Sequence, residues 1–235
     1  MADETNDEGE VLMLQGYPFY MKQPKEKMDR VYEKYENLLR KNLGDKIVEV
    51  YPMGSGAIPG MVGSPMTDIL LVMKNYPPTE DQIWKLKQLN IVFMGDGRSP
   101  HDPNDTWFHN LDFPPQENFD EFKVNGKFPP EGHLGRLSVH FVHYKSTWME
   151  RALCFVEYLS KNKEAFDKYR DVKIQGARIQ SENKETKEEN KYGLPSSFLQ
   201  YKMHKQAVVH ELMDETKKWR EAGNFKLPKA LLDAN

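Results

Sequence analysis

The chain has 235 residues, enough for one large domain or two small ones around a proper core. Lys and Arg number 33 and Asp and Glu 36, a formal net charge of −3, which excludes a protein that holds nucleic acid by bulk positive charge. A lone cysteine, Cys154, excludes an internal disulfide framework and a Cys-rich zinc site, and no apolar run is long enough for a transmembrane helix.

The first ten residues hold five acids and no base, and residues 1–20 read as a flexible acidic tail rather than a leader segment. With the single reduced thiol, this makes a cytoplasmic protein the expectation. One folded domain then spans 21–225. Met28, Val31, Tyr32, Tyr35, Leu38 and Leu39 recur at helical spacing and Gly44 stops them. A strand follows from Ile47 to Tyr51, then a glycine-rich loop, then a buried strand from Asp68 to Met73. Thr79 and Gln82 form a capping box for a helix ending near Asn90, and Ile91 to Met94 is a third strand.

Residues 95–133 carry six of the 15 prolines and eight acids against three bases, and read as a surface excursion with one strand, Thr106 to Phe113. Leu137 to Tyr144 is the next strand. Thr147 and Glu150 make a second capping box for a helix with a core face of Met149, Ala152, Leu153, Val156 and Leu159. Another helix spans Lys163 to Ile179, residues 180–193 are a polar linker, and one long helix spans Ser197 to Ala222. Residues 226–235 read as a C-terminal tail. The fold class is α+β: a small mixed sheet with packed helices and a helical C-terminal part.

Several side chains in this frame could carry chemistry. Gly54-Ser55-Gly56 between two strands is either an ordinary turn or a nest of backbone N–H groups for phosphate, with the Ser55 hydroxyl as a further donor. Asp68 opens a buried strand, and serves either a metal or substrate amine, or the strand end and glycine loop. His140 lies in the apolar strand Val139-His140-Phe141-Val142, as a hydrogen-bonded structural group or a ligand. Lys205 falls on a helical stripe with Tyr201, Val208, Leu212 and Trp219, and either snorkels or points into a pocket. Lys173, four residues after Tyr169, poses the same choice with less force. His101, Asp102, Asp105, His109 and Asp112 match no metal-binding spacing and read as a solvated acidic loop.

Taken together, these segments resemble the GrpB-like family. Gly54-Ser-Gly-Ala-Ile-Pro-Gly-Met followed by Ser64-Pro-Met-Thr-Asp68-Ile-Leu is similar to its signature, close to GSTAVPGLAAKPIIDI. Val139 to Val142 stands for its HLHV strand and Phe155 to Leu159 for its FRDYL helix. Tyr169 with Lys173 and Tyr201 with Lys205 match its tyrosine–lysine patterns. The resemblance spans roughly residues 28–220.

What the resemblance implies is a nucleotidyltransferase-like superfold. It also implies a pocket for a phosphorylated or anionic small molecule, a nucleotide among the candidates; the short apolar runs and the absence of a nucleic-acid-binding pattern argue against a membrane or nucleic-acid partner. Asp68 and His140 are then the catalytic candidates, and Gly54, Ser55, Gly56, Lys173, Tyr201 and Lys205 the substrate contacts. For Mg²⁺, Asp68 is the one candidate ligand. Two-metal transfer needs a second carboxylate where this chain has Leu70, and a third near His140. A carboxylate and an imidazole are a poor set for a hard cation. Ser64 and Val156 also replace a lysine and an arginine of the family pattern. The expectation is therefore a non-standard or degenerate transferase-type enzyme, or a non-catalytic binding or scaffold protein on the same fold. The charge is divided to suit an anion site: residues 1–135 carry 14 bases and 22 acids, residues 136–235 carry 19 bases and 14 acids.

Overall fold

A computed structural model describes residues 10–14, 17–23, 25–64, 66–89, 91–93, 107–111, 136–182 and 196–234. Its strands are β1 (Val11–Leu14), β2 (Tyr17–Tyr20), β3 (Ile47–Met53), β4 (Met66–Met73), β5 (Ile91–Phe93), β6 (Trp107–Leu111) and β7 (Arg136–His143). Its helices are α1 (Lys25–Leu43), α2 (Glu80–Gln88), α3 (Thr147–Lys161), α4 (Lys163–Glu182), α5 (Ser196–His204), α6 (Gln206–Glu221) and α7 (Lys229–Leu232).

The main sheet has the order β3-β4-β7-β6-β5. Only β4 and β7 run parallel, Asp68 opposite Ser138 and Leu70 opposite His140; the other pairings are antiparallel. This is the small mixed sheet with packed helices expected from the sequence. Strand alternation divides β4 and β7 between two cores. Ile69, Leu71, Leu137, Val139 and Phe141 pack with Val31, Tyr35 and Leu39 of α1 and Leu86 of α2. Leu70, Val72 and Val142 pack under Met149 of α3 and Leu231 of α7. A third core joins β1, β2 and the loop Ile58–Val62 to Tyr158, Ala165, Tyr169, Tyr201 and Leu212 of the helical body.

The Thr79–Gln82 capping box is present in both directions: Gln82 N donates to Thr79 Oγ1 at 3.3 Å and Thr79 N donates to Gln82 Oε1 at 2.9 Å. The second box is corrected. Ser146, not Thr147, caps α3, accepting from Met149 N at 3.3 Å. Both residues are good caps, and the chain turns helical one residue later than the hydroxyl that fits. Of the expected core face of α3, Met149 and Leu159 are buried and Leu153 and Val156 pack partly buried against the cores, and Cys154 and Tyr158 join them as buried residues.

Four further boundaries move. Val11–Leu14 and Tyr17–Tyr20 are not tail but the antiparallel pair β1 and β2, which we call the hairpin, with Leu14, Phe19 and Tyr20 fully buried. Residues 226–235 are not a loose tail either: α7 docks Leu231 on the sheet. α4 continues to Glu182, into the expected linker, because Gln180 is still buried. The long C-terminal helix is two helices broken at Lys205, since α5 packs chiefly on α4 whereas α6 packs chiefly on α3. The expected tail 1–9, most of the 95–133 excursion and residues 183–195 lie outside the described residues. None of the described helices is long and apolar enough to cross a membrane.

Candidate functional site

The antiparallel pairing of β3 with β4 sets Met53 opposite Asp68, so the turn that leaves β3 at Gly54 begins beside the Asp68 carboxylate. Gly54 has φ 65° and ψ −163°, a conformation open essentially to glycine alone. A Cβ there would stand 2.4 Å from Asp68 Oδ2. Glycine therefore allows the carboxylate to lie against the turn backbone. Ser55–Ala57 continue as one 3-10 turn, with Ile58 N donating to Ser55 O at 3.3 Å.

The β1–β2 hairpin reaches the same place. Tyr20 and Gly63 exchange two backbone hydrogen bonds, Tyr20 N to Gly63 O at 2.9 Å and Gly63 N to Tyr20 O at 3.0 Å. Just beyond the hairpin, Gln23 Nε2 donates to Ser64 O at 3.2 Å. Three polar atoms close on Gly63: a Cβ there would lie 2.8 Å from Gln23 Nε2, 2.8 Å from Lys173 Nζ and 3.2 Å from Ser55 Oγ.

The cations come from the helical body. Tyr169 and Lys173 are one turn apart on α4; Tyr201 and Lys205 are one turn apart at the α5–α6 break. α5 comes close because α4 has Gly176, whose Cβ would meet His204 Cδ2 at 2.9 Å and Tyr201 Cδ2 at 3.3 Å. Both side-chain nitrogens stand by one ring: Lys173 Nζ, from the same helix, is 5.2 Å and Lys205 Nζ 5.7 Å from the Tyr169 centroid. Lys205 is also 5.3 Å from the Tyr201 ring and hydrogen-bonds to Tyr169. Tyr201 is buried edge-on against Phe19, with centroids 5.4 Å apart.

The two lysines are electrostatically opposite. Lys173 is 1% exposed and its Nζ has no hydrogen-bond partner among the described residues. Burial, and then the charge of Lys205, hold its pKa well below the ordinary lysine value; Asp68 opposes them without prevailing. Burial also works against the Lys205 ammonium, but Tyr169, Tyr201 and Asp68 outweigh it and raise its pKa. Burial pushes the Tyr201 phenol up as well, so it stays a neutral hydroxyl.

His140 shares the sheet face of Asp68 but stands one pleat further on, opposite Leu70. Its ring stacks on Trp148 at 5.2 Å with planes 24° apart, and its Nε2 is 3.3 Å from Ser138 Oγ. The donor set does not fit a pair of Mg²⁺ ions: Leu70, where a second carboxylate would be needed, is fully buried among apolar groups. Among the described residues no three His, Cys, Asp or Glu side chains stand where they could hold a metal. Of the acidic-loop residues, only His109 falls in a described strand, β6.

Gly54, Ser55, Asp68, Lys173, Tyr201 and Lys205 thus converge, and His140 lies at the margin. Sequence reasoning ranked Lys173 below Lys205, and it missed Gln23 and Gly63. The signal for Lys173 was its one-turn spacing from Tyr169. Nothing local marked Gln23, which reaches the site through the hairpin pairing.

The family model described as GrpB protein matches residues 18–215. Among solved structures, the crystal structure of conserved protein GrpB from Enterococcus faecalis superposes with a TM-score of 0.60 at 19% identity, covering 86% of this chain and 98% of that one. At that identity the likeness bears on the fold. Among curated proteins, none matches the chain in sequence.

Proposed function

The chain belongs to the GrpB family, and we propose that it binds a phosphorylated or otherwise anionic small molecule in the space between the Gly54–Gly56 turn and the Lys173–Lys205 pair. The observation that carries this reading is the buried Lys173 amine, which stands at Gly63 beside Ser55 Oγ and Gln23 Nε2 with no hydrogen-bond acceptor among the described residues. A buried polar group without a partner costs about 1–3 kcal/mol, and a bound acceptor would relieve that cost. Lys205 supplies the positive charge, the glycine turn brings backbone close to the ligand, and Tyr201 walls the site. On the nucleotidyltransferase-like reading of the fold, Asp68 beside the Gly54 turn is the candidate for moving a proton, with His140 one pleat further along the same sheet face.

A binding protein without turnover is the second reading, favoured by Leu70. With its second carboxylate position filled by a core residue, the sheet lacks the oxygen ligands that metal-assisted transfer requires.

The test is a thermal-shift screen with inorganic phosphate, pyrophosphate and nucleotides, each with and without Mg²⁺. We expect stabilisation by at least one phosphorylated compound, undiminished without Mg²⁺ and lost in Lys205→Met. Stabilisation by none of them, or equal stabilisation of Lys205→Met, overturns the pocket. Phosphorus NMR of the stabilising compound then separates turnover from binding alone, and Asp68→Ala tests the role of the carboxylate.

A further inference from the structure

We infer that a tetrahedral oxyanion of the phosphate type seats beside Gly63 against Lys173 Nζ, Gln23 Nε2 and Ser55 Oγ, and that its binding draws one proton from solution onto Lys173. This rests on the anion pocket proposed above and assigns it a subsite and a protonic consequence.

The three atoms are donors or donor-capable, and they come from three unconnected parts of the chain. Gln23 follows the N-terminal hairpin, Ser55 sits in the β3–β4 turn and Lys173 is midway along α4. One Gln23 amide hydrogen is committed to Ser64 O, and the other is available to a ligand. Donors converging from three directions suit a group that offers separate oxygens on a tetrahedral centre better than the two coplanar oxygens of a carboxylate. Glycine at position 63 keeps the space: a methyl group there would stand 2.8 Å from both nitrogens.

The protonic part follows from what faces Lys173. Its own helix presents Tyr169; the α5–α6 junction presents Tyr201 and Lys205; β4 presents Asp68; the turn and the hairpin present Ser55 and Gln23, which carry no charge. Lys205 and Asp68 offset one another. In a buried space with this balance, lost hydration and then Lys205 hold the proton affinity of Lys173 well below that of an ordinary lysine. A phosphate dianion at the subsite adds two negative charges, and a proton on Lys173 cancels one of them and supplies a further donor.

Isothermal titration calorimetry with inorganic phosphate tests this at about pH 8.5, where free phosphate is already a dianion and has no proton to contribute. The titration is run in buffers of low and high ionisation enthalpy. We expect the observed enthalpy to rise with buffer ionisation enthalpy by the amount for about one proton taken up. Lys173→Met should abolish that dependence and weaken binding about 10- to 100-fold. Gln23→Leu should weaken it several-fold, and Gly63→Ala should block it while circular dichroism stays unchanged. A buffer-independent enthalpy in the wild type, or acetate binding as tightly as phosphate, overturns the inference and leaves the anion pocket standing. If no phosphorylated compound stabilises the protein in the thermal-shift screen, the pocket itself falls and the inference with it.

Discussion

Lys173 and Lys205 place their side-chain nitrogens within 6 Å of the same aromatic centroid, that of Tyr169, and burial lowers the proton affinity of both, yet the groups around them leave Lys173 lowered and Lys205 raised. The difference lies in their partners. Lys205 has a hydrogen bond to Tyr169, whereas Lys173 Nζ has none among the described residues. One group is a fixed cation, and the other is an amine stored in a dry space.

Storing that amine has a stability cost that depends on pH. The unfolded chain holds a proton on Lys173 up to about pH 10.4, whereas the folded chain releases it at lower pH. The unfolded state therefore binds more protons in this window, and wild-type stability rises with pH there. Lys173→Met removes the cost and should be more stable than wild type by about 1–3 kcal/mol at pH 7. The gap should narrow between pH 7 and about 9.5, below the range where the tyrosines titrate. Urea denaturation of both proteins across this range measures it; a gap that widens with pH contradicts the neutral amine.

Gly54→Ala should cost about 3 kcal/mol, combining a glycine-only backbone conformation with a collision against Asp68 Oδ2. Gly44 is the control: its φ is 55° but nothing lies within 4 Å of its absent Cβ, so Gly44→Ala should cost only about 1 kcal/mol. Denaturant midpoints at unchanged slope report the difference. Equal losses would mean that the Asp68 contact carries no weight.

Ser146→Ala should destabilise by about 1 kcal/mol through loss of the α3 cap. Thr147→Ala should cost less than half as much, since Thr147 is already inside the helix. The reverse order in thermal melts would restore Thr147 as the cap.

Cys154 is buried between α3 and α6, with its thiol 3.9 Å from the Thr216 carbonyl, and burial pushes its pKa up to about 11. The native protein should not react with a thiol reagent between about pH 7 and 9, and should expose one thiol per chain on unfolding in guanidinium. Rapid modification of the native protein would show that α6 opens from α3.

The parts of the fold readable in the sequence are those set by local pattern. The β4 run Ile69–Met73 is buried on both faces and reads so, and Thr79 and Gln82 mark α2 by their spacing. The misreadings all concern burial supplied by distant chain. Leu14, Phe19 and Tyr20 sit next to an acidic stretch that reads as tail; Leu14 and Phe19 are buried against the Ile58–Val62 loop and the helical body, and Tyr20 in the core between α1 and the sheet. No glycine or proline announces the break at Lys205; helix packing imposes it. The order of importance of Lys173 and Lys205 was likewise hidden, because a lysine at helical spacing looks the same whether its end reaches solvent or the space beside Gly63.

The hairpin latch on Gly63 also fixes when the site can come into being during synthesis. Gln23, Ser55 and Asp68 all leave the ribosome more than a hundred residues before Lys173, and Lys205 follows last. A nascent chain that stops short of α5 holds a carboxylate at Gly54 with no Lys205 to balance it, and lacks Tyr201 against Phe19. Anion affinity should therefore appear only after α5 has been made, making ligand capture by the growing chain a sensitive report that α5 has closed onto α4.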